Sequence, residues 1–161
     1  MCIGLRVRAA TGHDAQAAVE VIRRSISELC TADHRGDPAT LEEWLANKTA
    51  ARFRGWLARS GQYTVVVERD GTLCGVGMMG PDGSVRLCYV HPDHTRCGVG
   101  RALVDAMQSE ARARGMDRLH LDATLSAMAF YEAMGFRRVG SPHVWLGVVR
   151  SQPYEKRLSN D

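Results

Sequence analysis

What the chain lacks narrows it first. No apolar run approaches the length of a membrane span, and Met1 to Asp14 contains no hydrophobic stretch that could serve as a secretory leader. Cys2 follows the initiator methionine with no hydrophobic region before it, which argues against a lipoprotein. No block of like charges resembles a nucleic-acid arm, and no aromatic platforms stand among basic strands. The five cysteines (Cys2, Cys30, Cys74, Cys88, Cys97) form an odd, scattered set without a CxxC pair. Such a set reads as reduced thiols in a cytoplasm rather than a disulfide framework. Internal repeats, low-complexity tracts and long linkers are absent too. These exclusions leave a single domain over 1–161, expected to be cytoplasmic, with neither nucleic acid nor membrane as partner.

What is present suffices for a core. A chain of 161 residues, 45% hydrophobic and 24% charged, needs no disulfide or metal to fold. The net charge of +3 is mild and suits an anionic ligand. Arg6 to Ala9 reads as a short strand, and Thr11 and Asp14 have capping-box spacing ahead of a helix. That helix carries Ala15, Ala18, Val19, Ile22, Ile26 and Leu29 on one face. Thr40 and Glu43 repeat the capping spacing before Trp44 and Leu45. A third helix is expected from about Thr49 to Arg59, with Phe53, Trp56 and Leu57 inward and Gly61 as its stop. Asp70-Gly71 marks a hairpin between strands Tyr63 to Glu68 and Leu73 to Met79, and Pro81-Asp82-Gly83 turns into a strand from Val85 to Val90. A helix from Val99 to Arg114, with Leu103, Val104, Met107 and Ala111 inward, a strand from Arg118 to Thr124 and a short helix from Ser126 to Met134 follow. Beyond Phe136 the pattern is β, and Ser141 to Pro153 has no clear period. The order implies an α+β fold with a mostly antiparallel sheet and helices packed on its faces.

The segment from Leu87 to Leu103 is the most informative. A strand enters a turn containing Arg96, Gly98 and Gly100, then passes directly into a helix. A helix start offers unpaired N–H groups and a partial positive charge, glycines let a phosphate approach the backbone, and Arg96 and Arg101 add formal charge. A surface turn with capping glycines is the plain alternative. A dinucleotide fingerprint fits worse, because position 103 is leucine, and a P-loop is excluded because no GK[ST] follows.

This segment resembles motif A of the GNAT (GCN5-related N-acetyltransferase) family, through Val90-His91-Pro92 and Gly98-Val99-Gly100. Thr95 stands where the family usually has Gln or Arg, which removes one side-chain contact. Ala127-Met-Ala-Phe130-Tyr131-Glu-Ala-Met-Gly135-Phe136 is similar to the family's second element, A-x-x-F-Y-x-x-x-G-F. The two motifs span Val85 to Phe136, and the preceding elements fit the family's order. The resemblance implies a mixed sheet splayed between the strands ending at Val90 and at Thr124, with acetyl-CoA as co-substrate and no metal. It implies a cofactor site built from Arg96, Cys97, Gly98, Val99, Gly100 and Arg101, with the backbone of Tyr89 and Val90 and the end of the opposite strand at Thr124. It also implies transfer of acetyl to a primary amine of a small molecule or peptide. A non-catalytic acyl-CoA sensor of the same fold is the alternative, and a homodimer is carried over by analogy alone.

Tyr131 matches the family's proton donor, with Phe130 beside it as the structural aromatic. Asp122 could accept a proton through water; a solvated strand carboxylate is the competing reading. Glu68, His34, His91 and His120 are weaker candidates. Cys88, His91, His94 and Cys97 are spaced by three, but Pro92 breaks any helix that would align them on a zinc ion. Cys88 as a nucleophile would need a base beside it, and a structural thiol is the simpler reading. His34 to Pro38 is a polar turn suited to line an acceptor pocket, while Trp44, Phe53 and Trp56 read as core.

Overall fold

The computed structural model describes residues 4–159, so the expectation on Cys2 lies outside the described residues. Strands β1 (Leu5–Ala9), β2 (Tyr63–Arg69), β3 (Thr72–Met79) and β4 (Val85–Val90) form an antiparallel sheet in that order. Strands β5 (Arg118–Thr124), β8 (Val149–Arg157) and β6 (Arg137–Arg138) form a second sheet, on whose β8 the short β7 (His143–Trp145) also pairs. The expected α+β architecture is therefore present, and the expected bounds hold to within about two residues.

Helices cover both faces of the first sheet. Val65, Val66 and Val67 are all fully buried, which an alternating strand achieves only when both faces are covered. Val66 points into a core under α1 (Ala15–Leu29), α3 (Pro38–Leu45) and α4 (Ala50–Leu57), with the short α2 (Thr31–His34) between α1 and α3 in the chain. Val65 and Val67 point into the other core, under α5 (Val99–Ala113). The α5 face expected from its spacing, Leu103, Val104, Met107 and Ala111, is buried throughout. Glycines on β3 let α5 approach: a Cβ at Gly75 would lie 2.5 Å from Val99 Cγ1, and one at Gly77 would lie 3.3 Å from Met107 Cε. This close packing fixes where the start of α5 sits.

Local signals worked where chemistry was local. The Asp14 carboxylate accepts the Thr11 N–H at 2.8 Å, and Asp70 and Gly71 both take positive φ in the β2–β3 turn. The second cap is corrected. Asp37, not Thr40, caps α3, accepting the Thr40 N–H at 3.1 Å with Pro38 in the first turn. Leu29 is corrected too: it is 38% exposed at the end of α1 instead of inward. The stretch from Ser141 to Pro153 resolves into the β7–β8 hairpin, turned by positive φ at Leu146 and Gly147. Pro153 sits within β8, opposite Asp122, and a proline inside a paired strand is what obscured the pattern.

Candidate active site

Among the described residues the two sheets meet at one bridge. Ser84 and His120 form a parallel bridge, and the His120 N–H donates to the Gly83 carbonyl at 3.1 Å. Beyond it β4 and β5 are not paired, so both strands run on with facing edges that no ladder bonds close. A bulge contributes to the divergence. Met78 faces Leu87 while Met79 faces Val85, leaving Arg86 as an extra residue that bends β4.

A cavity of about 270 Å³ occupies this gap. It brings together Tyr89, Val90, Gly100, Asp122, Thr124 and Tyr131 of the expected site residues. Tyr131 is buried on α6 (Met128–Ala133), ring-stacked edge-on with Phe130 at 5.1 Å and Phe136 at 5.4 Å. Burial first, and the neighbouring Cys88 second, raise its pKa well above that of an ordinary phenol. The group is therefore a protonated donor at neutral pH. Burial likewise pushes the Cys88 thiol up to about 11, so it is not a thiolate nucleophile. Asp122 is exposed at the rim, shared with a second, larger cavity.

Arg96, Cys97, Gly98, Val99 and Arg101 lie outside the cavity wall, on the loop and first turn of α5. Gly98 is the N-cap, with φ of 79° and no side-chain cap. The first helical bond runs from the Ala102 N–H to the Gly98 carbonyl, so the earlier N–H groups point out of the helix end. Arg96 is exposed and also adopts positive φ. The side chain of Val99 is buried against β3, which leaves its backbone as the part that can meet a ligand. The Cβ position of Gly100 faces the Phe130 ring at 2.9 Å, so helix packing as well as ligand approach requires glycine there.

The weaker base candidates are engaged elsewhere. His34 is buried, its Nδ1 accepting the Gly36 N–H at 3.0 Å and its Nε2 donating to the Ile26 carbonyl at 3.1 Å. Glu68 is paired with Arg8 and Arg6 of the neighbouring β1, and the His91 Nδ1 accepts the Asp93 N–H at 3.1 Å. The His120 Nε2 lies 3.3 Å from the Asp82 carbonyl, where it can donate, on the wall of the second cavity. The turn from His34 to Pro38 does not line the gap cavity; Trp44 from α3 does, buried and edge-on to Trp145 at 5.1 Å. Sequence reasoning missed Ser25 and Cys30 of the α1 end, and Arg86, as cavity residues. No local motif marks them, because they reach the cavity by packing. Among the described residues no cluster of three or more His, Cys, Asp or Glu is placed to hold a metal, and no helix is long and apolar enough to cross a membrane.

The family model for the acetyltransferase (GNAT) domain matches residues 27–158, from the end of α1 through both motifs to β8. The chain belongs to the GNAT acetyltransferase family. A GCN5-related N-acetyltransferase from Rhodopseudomonas palustris, also described as a class-II aminotransferase, has a similar structure, with TM-score 0.85, 26% identity and 98% of each chain covered. The yncA structure from Salmonella typhimurium, solved with its cofactor acetyl-CoA, shares the GNAT fold at TM-score 0.69 and 22% identity, over 98% of this chain and 96% of that one. Mycothiol acetyltransferase of Thermobispora bispora is 34% identical over 96 residues, covering 52% of this chain. The matched region spans only 32% of that relative's own length.

Proposed function

We propose that the protein is an N-acetyltransferase that moves acetyl from acetyl-CoA to a primary amine of a small molecule or peptide, by direct attack in a ternary complex. The observation that carries this reading is Tyr131: a buried, protonated phenol on the wall of the gap between β4 and β5. Acetyl-CoA supplies an acetyl group activated as a thioester. The residues present fit it. The outward N–H groups at the start of α5, beside Gly98 whose Cβ position meets nothing within 4 Å beyond its chain neighbours, suit a pyrophosphate. Arg96 and Arg101 add charge, with Cys97, Val99 and Gly100 completing the turn. The unpaired edge of β4 at Tyr89 and Val90 can bond an extended amide chain, with Thr124 on the opposite wall. N–H groups there would polarise the thioester carbonyl.

Tyr131 would give its proton to the departing thiolate. Asp122, exposed at the rim, would take the amine's proton through water. Tyr131→Phe keeps the ring and loses the donor. It should bind acetyl-CoA almost unchanged while kcat falls by about 10²–10⁴-fold, the usual worth of a general acid. Turnover at the wild-type rate with saturating acceptor would return Tyr131 to an ordinary core aromatic.

A further inference from the structure

Arg86 has features that neither the fold nor acetyl transfer requires. It is the extra residue of the β4 bulge, and bulges re-aim the side chains they carry. Its guanidinium lies against Gly80, where an added Cβ would sit 2.7 Å from Cζ and Nη2. Gly80 is not among the positive-φ glycines, so its backbone does not demand glycine; the missing side chain is what leaves room for the guanidinium.

Arg86 also stands where three cavities meet. It lines the gap cavity with Tyr131 and the second cavity of about 630 Å³. It lines a third, of about 220 Å³, together with Lys48, Arg59 and Gln62. Among the described residues no carboxylate lines the third cavity. Among the described residues Arg86 makes no salt bridge, whereas Arg8, Arg24, Arg114, Arg118 and Arg138 each do. Gln62 adds an unmet hydrogen bond: its Oε1 is buried without a partner while its Nε2 faces only the Met78 sulfur at 3.5 Å. With its amide turned over, Gln62 would place an N–H donor at that position instead.

We infer that Arg86, backed by Lys48, Arg59 and Gln62, binds an anionic group on the amine that is acetylated. The inference rests on the acetyl-transfer reading above and names its acceptor class: small amines that also carry a carboxylate or a phosphate. A guanidinium fork takes either group through two parallel hydrogen bonds. Asp122, which shares both larger cavities with Arg86, offers the opposite charge for the amine end. Polyamines lack the anion and would meet the cations Arg86, Lys48 and Arg59 instead.

Binding and turnover test this separately on the full chain. The binding probes are product-like molecules: N-acetylglycine, N-acetyl-O-phosphoethanolamine and, as the uncharged control, N-acetylglycinamide. NMR of the arginine Nε–H groups, with the Arg86 signal assigned by its loss in Arg86→Gln, reads contact directly. A saturable shift of that signal by an anion and not by the amide is expected, and the stronger of the two anions identifies carboxylate or phosphate. Equal shifts from the amide, or no shift from either anion, would overturn the proposal. In turnover, the preference for glycine over ethylamine, or for phosphoethanolamine over ethylamine, should fall at least tenfold in Arg86→Gln and be partly kept in Arg86→Lys. An unchanged preference would overturn the proposal as well. Thiol release absent with every amine, alongside an intact NMR shift, would sink acetyl transfer and still support the anion site.

Discussion

Tyr131 and Cys88 are neighbours on the wall of the gap, and burial acts on both in the same direction. Each is held in its neutral form, the phenol well above its usual range and the thiol up to about 11. The sign of the pH dependence follows. A raised phenol pKa preserves the donor, so kcat/KM should rise as the acceptor amine loses its proton and then stay flat past the ordinary tyrosine value of about 10. A falling limb below that value, removed by Tyr131→Phe, would show that the phenol titrates normally. The same burial predicts that Cys88 and Cys30, whose thiol is pushed up to about 12, resist iodoacetamide at pH 8. Mass spectrometry of the labelled chain checks this, and alkylation of either at the rate of a free thiol would contradict it.

The start of α5 carries two glycines with different tasks. Gly98 needs its left-handed backbone, and nothing crowds its Cβ position. Gly98→Ala should therefore cost about 1–2 kcal/mol of strain and weaken acetyl-CoA binding through the backbone it displaces. Gly100 has ordinary φ but lies against Phe130, the residue before Tyr131. Gly100→Ala should destabilise by about 1–3 kcal/mol as an overpacked contact, and lower turnover by moving α6. Urea denaturation and calorimetry with acetyl-CoA separate the two. A Gly100→Ala variant with wild-type stability and rate would mean that the ring swings aside freely.

At the scale of the molecule, a partly buried ion-pair cluster holds the edge of the first sheet to the first helix. Asp14 takes both terminal nitrogens of Arg8 at 2.8 Å as well as the Thr11 N–H, and Glu68 of β2 joins at 3.3 Å. The Arg8 guanidinium holds the Asp14 carboxyl below its ordinary value of 3.8. A depressed carboxyl contributes stability above its unfolded pKa and loses it as pH falls through the folded one. Asp14→Asn should cost roughly 1–3 kcal/mol at pH 7 and flatten the acid-side loss of stability below about pH 4. Parallel acid titrations of the two proteins, each followed by urea midpoints, check this, and an equal acid-side loss in both would refute it. The gap predicts a second response. Acetyl-CoA should raise the melting temperature and slow hydrogen exchange along β4, and unaltered exchange there would separate the gap from the cofactor.

The strands from Val85 to Val90 and Arg118 to Thr124, the α5 face and the paired motifs were all legible in the sequence, because each rests on short-range periodicity or turn chemistry. So was the family, since Gly98, Gly100, Phe130 and Tyr131 recur at fixed spacing. The tertiary structure alone decided three things. His34 and Asp37, in a turn suited to line an acceptor pocket, hold a buried hydrogen-bonded turn and a helix cap, which depends on how α1 and α3 pack. The second task of Gly100 was hidden because its crowding neighbour, Phe130, is thirty residues away. Arg86 was unreadable because a bulge is a mismatch between two strands, and no single strand records how its partner is aligned. A strand's own residues set which of its faces is apolar, but alignment and crowding belong to pairs of distant segments, and those decide what reaches the gap.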